Sequence, residues 1–329
     1  MTKSLKVLFV TTEWPTKEHP RSVPFLVQYA EALRKQGVKV EVYHFHGRGN
    51  PLKYVRAWFD MRKQFFWSEA ELIHAHWGQS AFITLFSRKP LVITFHGSDL
   101  QGIVSSHGKY NLKGKLLVTL NRWMARKAEA CIVVSKRLRQ LLPKNLKHVE
   151  VIPMGIDLEM YKPLDKRSCR MALGLDLSKN YLLFVSDPKR PEKRFSLAQK
   201  AFSIANLNDA ELLVVCDQPY EKIPLYLNAG DLLLLTSSHE GSPVILKEAL
   251  ACNLPVVSVD VGDAREKLEN VAGCVVCEDD SPETISRAIQ KALANNKPIN
   301  GRKSVRELSW DLIAQRTIAV YNQALKKTS

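Results

Sequence analysis

Apolar residues fall into short runs along this chain, separated by polar stretches that repeat with a helical period. The first run, Val7-Leu8-Phe9-Val10-Thr11, is β-branched and aromatic, as suits a strand covered on both faces. Pro24 then opens an amphipathic stretch that Gly37 stops, predicting a helix over 24–36 and a second strand over 38–44. Further strands are predicted at 72–75, 91–95, 131–134 and 149–152, with helices between them, notably at 52–67 and 112–128. The alternation restarts after 157–163. Strands follow at 181–185, 211–215, 231–235, 255–259 and 273–276, and helices at 196–205, 244–252, 264–269, 282–295 and from about 309. Strands alternating with helices imply parallel, doubly wound sheets. A length of 329 residues is comfortable for two such cores. The expected fold is therefore α/β, with two Rossmann-like domains facing across a cleft. One spans 1–160 and the other 161–308, followed by a C-terminal helix over 309–329. Ligands of such sheets bind beyond the carboxyl ends of the strands.

Composition narrows the compartment. No apolar run is long enough to span a bilayer, and Met1–Ser4 passes straight into the first strand, leaving no room for a signal peptide. Six cysteines without such a signal point to a reducing cytosol. Cys274 and Cys277 have C-x2-C spacing, but Gly273-Cys274-Val275-Val276-Cys277 reads as a buried strand. No second pair accompanies them, so a metal site is not expected.

Charge is uneven. Residues 1–160 carry 25 Lys and Arg against 12 Asp and Glu, a net +13, whereas residues 161–329 carry 23 against 21, a net +2. A basic half beside a neutral one implies that only the first half meets an anionic partner. Nucleic acid, an anionic lipid surface and a phosphorylated acceptor all qualify. The segment 53–67 mixes Lys53, Arg56, Arg62 and Lys63 with Trp58, Phe59, Phe65, Phe66 and Trp67. Lys113, Lys115 and the run Arg122-Trp123-Met124-Ala125-Arg126-Lys127 do so more weakly. Basic amphipathic helices with aromatics suit a membrane interface. A core helix burying Trp58 and Phe65 is the plainer account of the aromatics, yet it leaves the clustered cations unexplained.

Neither half has G-x-G-x-x-G after its first strand, and G-x4-G-K-[ST] is absent, which disfavours a dinucleotide oxidoreductase or a P-loop NTPase. The most informative segment is Glu240-Gly241-Ser242-Pro243-Val244-Ile245-Leu246-Lys247-Glu248. It reads as a turn and then a helix with a carboxylate at each end. On a helix, eight residues span about 12 Å, too far for an acid/base pair on one bond. Such carboxylates could hold two hydroxyl-rich ends of an extended ligand while the helix N-terminus holds phosphate between them. A nucleotide-sugar would lie in that way. The segment resembles the E-x7-E signature of retaining glycosyltransferases, family 4 in particular, of the bacterial envelope or exopolysaccharide type, and the resemblance covers nearly the whole chain.

Other segments carry the same resemblance. Val92–Asp99 looks like the family's strand ending in an H-G-x-D turn, which implies that His96 contacts the transferred sugar or the acceptor, with His76 and Asp99 on the acceptor side. The alternative for His96 is a ring satisfied by backbone or by Asp99. Residues 151–163 resemble the I-P-N-G-V-D…F-x-P crossover into the second domain, with Met154 replacing Asn. Residues 184–195 stand where the family has G-R-x…E-K-G. Lys193 matches the Lys, but Asp187 occupies the Arg position, so the guanidinium must come from Arg190 or Arg194, Arg190 being preferred. Ser22 and Val23 replace the Gly-Gly of the first loop, and Val tolerates positive φ poorly. Residues 217–231 form an abbreviated module where many relatives insert a further helix and strand around the nucleobase.

The resemblance implies a GT-B enzyme moving a hexosyl unit from a nucleotide-diphosphate sugar to a hydroxyl of a saccharide or lipid-linked acceptor. It implies retention of configuration, a place in polysaccharide or cell-envelope glycan biosynthesis, and no cofactor or bound metal. The lack of an Asp-x-Asp pair agrees with the last point. His96, Lys193 and Glu240 are the expected catalytic residues. Arg190, Gly241, Ser242, Pro243, Val244 and Glu248 are the expected donor-binding residues, with Glu248 on the ribose and Lys193 with Arg190 on the leaving diphosphate. The expected location is cytoplasmic, peripheral on the membrane's cytoplasmic face. Three rivals are a GT-B sugar-nucleotide epimerase, a non-catalytic GT-B scaffold, and a nucleic-acid-binding protein, the last lacking any basic recognition motif.

Overall fold

The computed structural model describes residues 4–20, 22–47, 50–65, 69–102, 112–295 and 297–326. Contacts divide the chain into two units. One holds the described residues up to Gly155 and again from Trp310 onward, and the other those of Ile156–Ser309.

The first unit is a six-stranded sheet, parallel at every pairing. Its strands are β1 (Lys6–Thr11), β2 (Lys39–His44), β3 (Leu72–His76), β4 (Leu91–Phe95), β5 (Ala130–Val133) and β6 (Val149–Val151), in the order β2-β1-β3-β4-β5-β6. β3, β4 and β5 are buried throughout. Cover on both faces explains why they read as unbroken apolar runs. Chain direction across the sheet reverses at β1 and β3, so the loops beyond Thr11 and His76 open at the switch point, where such folds bind ligands.

The C-terminal helix Trp310–Lys326 belongs to this unit. Tyr29 of the helix Pro24–Lys35 stacks on Trp310, ring centroids 5.7 Å apart, and its hydroxyl bonds Thr317. The Tyr321 hydroxyl bonds His74 Nδ1 at 2.6 Å, and the Trp310 indole donates to Gln28 at 3.0 Å. A fully buried tyrosine is favourable only if its hydroxyl finds a partner, and both do. At Gly155 a Cβ would lie 2.3 Å from the Trp310 ring, so only glycine lets that ring rest on the crossover.

The second unit is a five-stranded sheet, also parallel at each pairing. Its strands are β7 (Asn180–Val185), β8 (Ala210–Val215), β9 (Leu232–Leu235), β10 (Val256–Ser258) and β11 (Val275–Val276), ordered β11-β10-β9-β7-β8. Here the switch point lies between β7 and β9. The division between units falls at 155/156 rather than 160/161, because the segment after Gly155 is tied to the second unit. The Ile156 N–H bonds the Leu308 carbonyl at 2.8 Å, and Arg302 donates to the carbonyls of Leu158 and Tyr161. Three α-helices described in this unit were not foreseen, the one-turn Gly301–Ser304 and two longer ones. Lys166–Leu173 is capped by Asp165, which accepts from the Ser168 N–H at 2.8 Å. Ile223–Ala229 forms inside the abbreviated module, with Pro224 in its first turn, where a missing N–H costs nothing. Among the described residues no helix is long and apolar enough to cross a membrane.

Gly155→Ala should lower stability by about 1–3 kcal/mol, the usual cost of overpacking, as a drop in Tm. An unchanged Tm would show that the ring and the crossover separate freely.

Candidate active site

The switch point of the second sheet brings two predicted residues together. Lys193 lies in the loop after β7 and Glu240 in the loop after β9, and they form an ion pair at 2.5 Å with each side chain only 16% exposed. The two loops are fastened to each other through backbone carbonyls of the first. Ser238 N–H donates to the Glu192 carbonyl at 2.8 Å, and the Thr236 hydroxyl to that of Lys193 at 2.9 Å. Arg194, left-handed at φ 52°, spends its guanidinium on the Thr236 carbonyl and on Asp280. Arg190 turns instead to Glu192, at 2.5 Å, and remains half exposed. Asp187, where the family's Arg was expected, accepts the Lys189 N–H at 2.8 Å and so shapes the loop that carries Lys193.

The helix that follows is Val244–Ala251. This corrects the reading of a helix with a carboxylate at each end. Pro243 is the N-cap, so Glu240 stands in the loop before the helix and only Glu248 is on it. The helical rise therefore does not set their separation. No side chain caps this helix. Its first-turn N–H groups and the positive end of its dipole remain suited to an anion.

The loop before the helix is fixed from beneath. Lys247 is fully buried and pairs with Asp263 at 2.9 Å. The Ser242 hydroxyl donates to the same Asp263 oxygen at 2.9 Å and is bonded by Lys247. Burial pushes the Lys247 ammonium's pKa down, and Asp263 pulls it back. Ser242 was expected to bind donor. Its side chain is turned inward to this cluster, so it can meet a ligand only through backbone.

Glu248 is buried and accepts from the Tyr220 hydroxyl at 2.9 Å. Burial pushes its carboxyl up to about 7, with the hydroxyls of Tyr220 and Tyr161 pulling the other way. The two tyrosine rings meet edge to face at 5.8 Å.

In the first unit, His96 follows β4 and packs against Trp77 at 4.6 Å and Phe25 at 5.6 Å. Its Nε2 lies 3.3 Å from Nδ1 of His76, the last residue of β3. Burial lowers His74 and His96 to about 3 and holds His76 well below its ordinary value, so all three are neutral at pH 7. Asp99 is a staple. One oxygen accepts from Gly97 N–H at 2.9 Å, and the other from Gly78 at 3.1 Å and His96 at 3.3 Å. Burial still raises its pKa to about 6. Gly97 has φ 140°, a conformation reserved in practice for glycine. Val23 does adopt φ 41°, a strained state for a β-branched residue.

Residues 6–160 match the family model described as Glycosyltransferase Family 4, and residues 205–307 that described as Glycosyl transferases group 1. The chain belongs to glycosyltransferase family 4. TuaC of Bacillus subtilis, assigned to teichuronic acid biosynthesis as a glycosyltransferase, is 25% identical, the match covering 78% of this chain and 82% of TuaC. Sucrose-phosphate synthase from Thermosynechococcus elongatus superposes with a TM-score of 0.79 at 17% identity, covering 99% of this chain and 100% of that one. Anabaena HepE, solved with UDP and glucose, gives 0.69 at 17% identity, covering 97% and 99%. Likeness at such identities shows the fold, which is GT-B.

This family 4 glycosyltransferase thus holds its candidate residues in two groups, one in each unit. Sequence reading missed Lys247, Asp263, Tyr161 and Tyr220. The one available signal was Lys247, a lysine beside Glu248 in the otherwise apolar helix Val244–Ala251.

The histidines also set the pH response. Their folded pKa values lie below the unfolded 6.5, so the stability they contribute is present above about 6.5 and lost as pH falls towards 3. Asp99 and Glu248, raised in the fold, act in the opposite sense as pH rises through about 6 and 7. Three groups against two leaves a net loss on acidification. The urea midpoint should fall between pH 6.5 and 5, and more steeply in Glu248→Gln. A flat or rising midpoint would refute the neutral buried cluster.

Proposed function

We propose that this glycosyltransferase moves a hexosyl unit from a nucleotide-diphosphate sugar to a hydroxyl of a saccharide or lipid-linked acceptor, with retention and without a bound metal. The observation that carries the reading is the Lys193–Glu240 ion pair at the switch point of the second sheet, on loops that lead to an uncapped helix. A diphosphate needs positive charge as the sugar–phosphate bond breaks, and a fixed ammonium with a helix N-terminus supplies it without reorganisation. Glu240 holds that ammonium in place while no donor is bound and then accepts from sugar hydroxyls. Glu248 takes the ribose diol, with Tyr220 yielding part of its hydrogen bond. Arg190 reaches phosphate only by leaving Glu192, so it is secondary to Lys193. Neutral His96 positions the reacting sugar or acceptor hydroxyl from the first unit, and His76 fixes its ring. Asp99 serves the acceptor side through the loop that it staples.

The sugar and UDP bound by Anabaena HepE support a nucleotide-sugar donor, and TuaC's assignment supports a role in envelope glycan synthesis. With a lipid-linked acceptor, the basic first half would place the enzyme peripherally on the cytoplasmic face of the membrane.

A thermal-shift screen of UDP-, GDP-, ADP- and dTDP-sugars, run with EDTA present, should raise Tm for one class, since a ligand of the native state stabilises it. Glu248→Ala should weaken that ligand by about 1–3 kcal/mol. No shift with any donor would reject the reading, and a shift that needs magnesium would reject metal independence. Lys193→Ala should lower kcat on the order of 100-fold with a smaller rise in donor KM. A change confined to KM would leave Lys193 a binding residue only.

A further inference from the structure

Two helices of the first unit are apolar on the side that faces water. In Pro51–Phe65, Ala57 and Met61 are buried, yet Leu52 is 75% exposed and Phe59 62%, with Val55 exposed between them. These stand at i, i+3 and i+7, one stripe along the helix. In Leu112–Lys127, Met124 and Ala125 face the core, while Leu116 (62% exposed), Leu120 and Trp123 lie outward at i, i+4 and i+7. Both helices pack on the same 3-10 segment, Gly78–Thr84. Just beyond that segment Phe86 is 82% exposed at φ 70°. A bulky aromatic held in a strained conformation and aimed at water is an outlier that calls for a function. It packs edge-on to Trp58, whose indole donates to the Leu85 carbonyl, which ties it to the first stripe.

Cations flank both stripes. Lys53, Arg56, Arg62 and Lys63 are exposed on one helix, and Lys115, Arg126 and Lys127 on the other. Arg62 lies over the Trp58 ring at 4.7 Å and Lys127 over Trp123 at 5.5 Å. The acidic residue among these two helices is Asp60, already beside Arg56 at 3.7 Å. Apolar residues inside a ring of cations match a lipid interface, where side chains enter the acyl boundary and the charges stay among anionic headgroups. A second copy of this face would bring like charges together. Phosphate contacts of a nucleic acid would leave the stripes exposed.

We infer that these two helices insert their apolar stripes, with Phe86, into an anionic membrane surface. The inference rests on the peripheral placement proposed above and adds a hydrophobic part that charge cannot supply. Binding should then have two separable components, a salt-sensitive one and a salt-resistant one.

The test is co-sedimentation of the full chain with vesicles of phosphatidylcholine containing 0–40% phosphatidylglycerol, at low and high salt. Binding should rise with anionic lipid and survive in part at high salt. Leu52→Ser/Phe59→Ser and Leu116→Ser/Trp123→Ser should each lower the salt-resistant partition about tenfold or more. Lys53, Arg56, Arg62 and Lys63 changed together to Ser should lower only the salt-sensitive part. Acyl chains brominated near the headgroup should quench wild-type tryptophan fluorescence, and less so in Trp123→Phe. Donor thermal shift should be the same in every variant. Its failure in the wild type would refute the donor reading without touching this one. Absence of vesicle binding, binding wholly abolished by salt, equal quenching in Trp123→Phe, or a dimer that the Ser variants dissolve would each overturn the inference.

Discussion

The geometry of the second unit turns on one buried charge. Lys247 has its ammonium wholly out of water, paired with Asp263 and bonded to Ser242. Removing either partner of such a pair typically costs 3–5 kcal/mol, because the other is left uncompensated. The pair contributes little net stability, but it fixes position. Ser242 is drawn inward, Pro243 is held at the N-cap, and the helix Val244–Ala251 starts with no side chain over its end. Glu240, two residues before Ser242, is thereby set at the reach of Lys193.

The first unit relies on hydrogen bonds in place of charge. Burial keeps His74, His76 and His96 neutral, so their ring nitrogens call for neutral partners, which all but the buried Nε2 of His76 among the nitrogens of His74 and His76 find. Tyr321 and Thr94 serve His74, and His76 faces His96. The C-terminal helix brings Tyr321 to a strand 247 residues away in sequence, so the last segment of the chain takes part in holding the site of the first. Asp99 stays on three backbone amides even though burial raises its pKa. It keeps the loop after β4 in one conformation and presents His96 at the strand end.

The parallel strands were legible because their burial on both faces writes continuous apolar runs, and β4 was placed to the residue at Leu91–Phe95. The helix Ile223–Ala229 was not, since it is only seven residues long and no side chain caps its start. At the site, the motif carried Lys193, Glu240 and Glu248, but partners far apart in sequence leave no local trace. Asp263 lies 21 residues from Ser242, and Tyr220 lies 28 from Glu248, a contact made only when β9 returns the chain. Phe59 and Trp123 illustrate a different limit. Helical spacing puts an aromatic on a face, but which face meets the core is decided by the neighbouring elements.

Those neighbours also explain why one chain can hold a polar ligand and an apolar surface without conflict. Lys193 and Glu240 sit in the loops that follow strand ends and Glu248 on the helix after one of them, a region left with polar groups to satisfy. The exposed stripes sit on helices already anchored by their opposite faces, through Ala57 and Met61 and through Met124 and Ala125. Each helix therefore keeps its fold whether or not the outer stripe is covered. Apolar side chains on that outer side keep much of their surface in water after folding, Leu52 75% and Leu116 62% of it, and that part adds nothing to folding stability. Their free energy is realised only when a second phase covers them, and the cations beside them select an anionic one.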